Sequence, residues 1–319
     1  IKIGSTIAIK RVKKAAGRQA FISLTDYLSI ILGLLAVTAF IYFLDLESSI
    51  GLFELMPFVV GGFAVHALLP MPYRLPFFFF LTLAATLQLF GAKEGAVLLL
   101  AGMALWGIVR LPLSVKIRTR IILAAAGVLA LLVGFGKVPD FSGPVIPVLG
   151  SIFMFRAILY LYEQRFLKEK SNLWLDLNYF FLLPNLIFFI FPVVDYKTFI
   201  TRHYSKPALS TYRKGILWMA NGDAHLLLYR LIYYYLIPAP SDVLNIYDLL
   251  QFMAASYALI VRLAGIFHFS AGVICLFGFD LPATFEHYFF AHSFSDLWRR
   301  INIYWRDFIM KVFYYPVYF

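Results

Sequence analysis

The residues best suited to chemistry lie near the end of the chain, in the run Trp298-Arg299-Arg300, followed by Asn302 and then by Arg306-Asp307-Phe308. The arginine guanidinium is a planar fork of donors that matches phosphate and carboxylate. Arg299 and Arg300 are therefore candidates for holding the anionic part of a ligand, with Asp307 as a nearby acid. Trp298 with the two arginines could equally be an interfacial anchor. Asn302 can donate or accept one hydrogen bond, which suits orienting a hydroxyl or holding an oxyanion, but it has no use as a base. Ser293-Phe-Ser-Asp296 has the form of a capping box and predicts a helix starting before Trp298.

A second group of polar residues interrupts apolar stretches. Asn221-Gly-Asp223-Ala-His225 with Arg230 is the densest, and Arg262 and His268 follow in a later stretch. Asp223 and His225 stand two apart and so point to different helical faces, which argues against a prebuilt acid–base pair. Both a structural role and a cavity-lining role fit them. Glu54 and His66 share one apolar stretch and could reach headgroups, while Arg156 fits an ion pair as well as a substrate contact.

The elements that position these residues are membrane helices. The chain is 62% hydrophobic and only 14% charged, with a mean hydropathy of +0.81, far from what a soluble domain needs. A span takes roughly 20 apolar residues, and such stretches run near 27–45, 51–70, 75–92, 94–109, 121–136, 145–162, 215–237 and 249–279, with a weaker one at 178–195. The net charge of +11 does not indicate nucleic acid, because Lys and Arg cluster between spans instead of forming one stripe.

Those clusters orient the chain. Lys10, Arg11, Lys13, Lys14 and Arg18 precede the first span, Arg110, Lys116, Arg118 and Arg120 follow the fourth, and Arg165, Lys168 and Lys170 follow the sixth. Even numbers of crossings separate them, so the positive-inside rule puts all three, and the N-terminus, in the cytoplasm. The basic residues from Lys197 to Lys214 break the count unless 178–195 is re-entrant, a reading that Pro184 and Pro192 favour. The alternative is that the rule fails at one loop.

The expected fold is all-α, a polytopic transmembrane bundle with that re-entrant segment. It forms a single membrane domain over 1–319: a basic segment 1–26, aliphatic helices over 27–136 and a core carrying polar residues over 145–319. The single cysteine, Cys275, excludes a disulfide framework and a cysteine metal site. The basic N-terminal segment leads into a full-length span with no small-residue cleavage pattern, unlike a secretory signal. A start at Ile1 and a stop within Phe313-Tyr-Tyr-Pro-Val-Tyr-Phe319 suggest a piece of a longer protein.

From Phe267 the sequence resembles the bacterial branch of the membrane-bound O-acyltransferase family, which includes alginate O-acetylases and the enzymes that load D-alanine onto teichoic acids. The matching residues are Gly272, Gly278, Phe279, Pro282, Phe285, Ala291, Ser293, Asp296, Trp298, Arg299, Arg300 and Asn302. The resemblance covers the last fifty or so residues, with a weaker likeness of the Pro184 and Pro192 region to the family's proline-containing stretch. It departs in three places: Arg306-Asp307-Phe308 comes about one helical turn early, His268 stands where the family has an acid, and Thr284 stands where it has Asn.

The resemblance implies transfer of an acyl group, acetyl above all, from a thioester such as acetyl-CoA to a hydroxyl of an envelope polysaccharide or lipid-linked sugar. It implies no resident cofactor or metal. Asn302 would orient or stabilise, Trp298, Arg299, Arg300, Asp307, Arg262 and His268 would contact substrates, and the general-base histidine would lie beyond Phe319. The implied setting is the bacterial cytoplasmic membrane, with lipid, the acyl donor, the polysaccharide and other membrane or periplasmic subunits as partners. A non-catalytic scaffold and a transporter are the rival readings.

Overall fold

The computed structural model describes residues 22–47, 51–136, 145–151, 156–164, 172–182 and 194–315. The basic residues before the first span, Lys137–Asp140, Arg165, Lys168, Lys170, Pro184 and Pro192 fall outside these ranges, so the re-entrant expectation does too. Within them the protein is helical, and the only sheet-like pairing among the described residues is the single bridge between His203 and Phe279. Among the described residues, four helical stretches are long and apolar enough to cross a membrane: Leu24–Leu44 (α1), Met71–Arg110 (α3), Val115–Gly134 (α4) and Ile246–Leu276. The shorter apolar helix Leu52–Leu68 (α2) lies between the first two, and the short helix Val145–Ser151 (α5) follows α4.

Local sequence explains where these helices start and turn. The Ser23 hydroxyl accepts from the Asp26 N–H and starts α1, and Ser114 does the same for α4 through Ile117. Gly91 has φ +78°, and it breaks α3 into arms 71–90 and 92–110. The arms fold back on each other, because a Cβ placed on Gly95 would lie 3.0 Å from Leu87 Cα, far closer than a straight helix permits. The expected spans 75–92 and 94–109 are these two arms. The expected span 249–279 falls on the stretch Ile246–Leu276, which is made of two helices, Ile246–Tyr257 (α10) and Leu259–Leu276 (α11), because the chain tightens at Ala258 into bonds from Ala258 N–H to Ala255 and from Val261 N–H to Ala258.

Only Ile122 is buried on α4, which leaves its apolar surface for lipid. The reverse holds for α11, where every residue from Ala264 to Leu276 is buried. A helix that is apolar all round belongs in such a position. Its main neighbour is Ala208–Leu236 (α9), which runs antiparallel to it, with Gly215 against Gly272 and Gly222 against Gly265. Helix α1 lies along α9 in the same direction, since Asp26 pairs with Arg213, Gly33 touches Ile216 and Arg230 reaches Leu44 O.

Candidate functional site

The segment from Gly278 to Tyr304 is held by backbone bonds on two sides. Gly278 has φ +91°, and a Cβ there would lie 2.4 Å from the Tyr204 ring, so only glycine fits both the angle and the space. Its carbonyl accepts from Tyr204 N–H at 2.7 Å, and Asp280 N–H donates to Arg202 O at 3.1 Å. The Asp280 carboxylate is buried and meets Lys214 Nζ at 2.5 Å, Lys206 Nζ at 3.0 Å and Arg202 Nη1 at 3.8 Å. Burial acts to raise its pKa, but the two lysines outweigh that and hold it below the usual carboxylate range. His203 beside it does not add to the basic loop: burial and the Arg74 guanidinium push it down to about 3, so it stays neutral.

On the other side, Glu286 N–H donates to Arg300 O at 3.1 Å, Ile303 N–H to Thr284 O at 2.9 Å and Tyr304 OH to Pro282 O at 2.8 Å. The Gly-Phe-Asp-Leu-Pro turn and the Trp-Arg-Arg helix are therefore one stitched unit. That helix, Phe294–Arg300 (α12), is capped as the sequence leads one to expect, with Ser293 Oγ accepting from Asp296 N–H at 3.1 Å. Asp296 accepts from His292 N–H at 3.2 Å and pairs with Arg300 Nε at 3.0 Å, while Arg300 Nη1 donates to His287 O at 3.4 Å, so Arg300 is engaged within the unit.

The chain does not run as one helix from Trp298 through Asn302. Helix α12 ends at Arg300, Ile301 is extended, and Asn302 sits in the left-handed region at φ +43° as the cap of Ile303–Ile309 (α13). Its side-chain oxygen accepts from Trp305 N–H at 3.2 Å. Asparagine tolerates this backbone better than most residues, a reason for Asn302 that needs no chemistry. The two roles separate by substitution. Asn302→Ala loses the cap, about 1 kcal/mol, and meets about 1–2 kcal/mol of left-handed strain, so its melting temperature in detergent should fall. Asn302→Gly avoids the strain and should melt near wild type. If the amide orients a substrate, both variants lose turnover alike; full turnover in Asn302→Gly leaves only the cap.

Around this unit opens a cleft of about 760 Å³ lined by Phe294, Trp298, Arg299, Arg306, Asp307 and Lys311, among others. Arg306 is held by Asp307 at 2.7 Å. Lys311 bridges Glu163 at 3.0 Å and Asp195 at 2.9 Å, which ties the end of the described chain to Ile158–Gln164 (α6) and Tyr196–Arg202 (α8). Burial and the Asp195 charge push Glu163 above the usual carboxylate range. Burial acts the same way on Asp195, but bonds from Lys311 and Thr198 outweigh it and hold Asp195 below. Arg299 has no carboxylate partner among the described residues.

The remaining candidates lie apart from this cleft. Arg262 makes a two-pronged pair with Glu47, at 2.7 and 2.6 Å, that joins α11 to the turn after α1. His268 is nine-tenths buried, its ring 5.5 Å from His225, 6.0 Å from Trp218 and 6.3 Å from Phe285. Asp223 is buried with both oxygens unpartnered. Seven residues from both Ile216 and Arg230, it shares their stripe towards α1 and so does not join the histidines.

No family model and no curated protein matches this chain. Sequence reasoning passed over two buried centres that anchor the site. Arg74, fully buried, donates to Tyr204 OH at 2.7 Å, Tyr212 OH at 3.2 Å and two carbonyls, of Ala67 and Leu69. Asp176, also fully buried on Leu173–Phe180 (α7), takes bonds from Arg110, Tyr160 and Tyr196. Their only signal in the sequence is a charge beside apolar runs.

Proposed function

We propose that this membrane protein is an O-acyltransferase that moves an acyl group, acetyl foremost, from a thioester such as acetyl-CoA to a hydroxyl of an envelope polysaccharide or lipid-linked sugar. One observation carries the reading: an open cleft at the Trp298-Arg299-Arg300 run whose wall pairs the half-exposed Trp298 with Arg299, a guanidinium without a carboxylate partner among the described residues. A phosphate-bearing carrier suits that wall, since the guanidinium takes phosphate and the indole packs on the apolar remainder of the carrier. Asn302, which caps α13 in the same stitched unit, would orient the hydroxyl. The proposed setting is the bacterial cytoplasmic membrane with the N-terminus inside, from the Lys and Arg clusters, in company with other membrane or periplasmic subunits.

The test is transfer of labelled acetyl from acetyl-CoA to envelope polysaccharide by the complete protein in nanodiscs. Arg299→Ala should raise the KM for the donor about tenfold or more, since a charge-assisted bond contributes about 1.5–3 kcal/mol, while kcat changes little. A donor KM in Arg299→Ala equal to that of the wild type would remove Arg299 from the site. No transfer by the wild type would leave the scaffold and transporter readings.

A further inference from the structure

The α9/α11 seam carries polar groups that neither the cleft nor the ion pairs use. His225 Nδ1 lies 2.7 Å from Asn221 O. A carbonyl only accepts, so Nδ1 carries the proton and the lone pair of the ring is on Nε2, free to accept a hydrogen bond. His268 faces it with a ring separation of 5.5 Å, and His268 Nδ1 is buried without a partner. Phe285 packs on His268, Tyr288 packs on Phe285 at 5.6 Å, and the Tyr288 hydroxyl and the neighbouring Thr284 hydroxyl are also buried without partners. Buried polar atoms are normally satisfied, so this concentration of unmet donors and acceptors calls for a ligand.

A cleft adjoins this cluster at Trp218. Trp218, whose ring stands 6.0 Å from His268, also lines a cleft of about 510 Å³ with Ser210, Lys214 and the exposed Leu217. The chemistry of the occupant follows from what is free there. A metal is poorly served, because no group of three metal-ligating side chains occurs among the described residues. An anion is poorly served too, since Lys214 is taken by Asp280 and Arg213 by Asp26. Groups that both donate and accept, beside an indole that has Lys214 Nζ over one face at 4.5 Å and leaves the other, match hydroxyls on a ring with C–H faces. Leu217 beside them matches an apolar tail.

We propose that the His225–His268 pair, reached past Trp218, binds the hydroxylated headgroup of an amphiphile. Its service as the acceptor in acyl transfer rests on the function proposed above; the binding itself does not.

The probe is octyl glucoside, with octyl phosphate and an octyl chain bearing trimethylammonium as comparisons. The readout is residue-resolved carbethoxylation of the full chain in nanodiscs by diethyl pyrocarbonate, which attacks an imidazole lone pair. His225 should react, and octyl glucoside should slow it about tenfold, whereas the comparison amphiphiles leave it unchanged. Trp218→Ala should weaken that protection at least several-fold, and His268→Gln should do so with the fold checked by an unchanged melting temperature. Equal protection by all three probes would make this a lipid-tail contact and overturn the proposal, as would protection by octyl phosphate alone. An unreactive His225 would overturn it too, because Nε2 would not be free. Failure of acetyl transfer leaves these results intact, so the two proposals fail separately.

Discussion

Gly272→Leu is expected to leave no correctly folded protein, with Gly222→Leu close behind. A Cβ on Gly272 would lie 2.7 Å from Gly215 O and 2.8 Å from Met219 N; one on Gly222 would lie 2.7 Å from Phe269 N and 2.8 Å from Gly265 O. The obstructing atoms are backbone, so no side chain can turn aside, and α9 and α11 must separate. In lipid, helix association depends on close van der Waals packing because the tails are as apolar as the side chains. Even alanine should cost about 1–3 kcal/mol at either site. Gly61 and Gly127 have open space around them and serve as controls, with alanine there neutral or mildly stabilising. Size-exclusion profiles and melting curves in detergent measure the difference. A Gly272→Leu protein that elutes and melts like wild type would mean that α9 and α11 do not touch at the glycines.

This contact shows what the sequence did and did not make legible. The apolar stretches announce the helices, and Gly91 with Lys93 and Glu94 marks a turn between two of them, because those signals are local. Gly215 and Gly222, and Gly265 and Gly272, each stand seven apart, yet their pairing depends on α9 lying antiparallel to α11, and nothing within either helix reports that. The same holds at the site. Ser293 and Asp296 are legible as a cap because the motif is four residues long. Asn302 reads as a helical amide until the chain is seen to break at Ile301, since Asn is at home both in a helix and in the left-handed region. Arg262 looks like a cavity residue from its own helix alone. Its partner Glu47 is 215 residues away, across the turn after α1.

The largest electrostatic effect should follow loss of Asp176. Its carboxylate is fully buried and takes bonds from the Arg110 guanidinium, from Tyr160 OH at 3.1 Å and from Tyr196 OH. Those donors come from the end of α3, from α6 and from α8, so one acid on α7 holds together the helices on which the Lys311 anchor of the cleft also sits. Removing one member of a buried pair typically costs about 3–5 kcal/mol, because the others are left desolvated. The Arg110 side chain keeps 35% of its surface exposed and can recover some hydration, which puts Asp176→Ala near the lower end, about 3 kcal/mol. Asp176→Asn keeps the size and one acceptor but loses the charge, and should fall between wild type and alanine. Tyr196→Phe alone should cost about 1 kcal/mol, and combined with Asp176→Ala it should add almost nothing, since the bond it removes is already gone. Denaturant or thermal melts of the four proteins give the coupling directly. Additive losses from Tyr196→Phe and Asp176→Ala would mean that the two groups do not share a bond, and would detach α8, with Asp195 and its hold on Lys311, from the acid on α7.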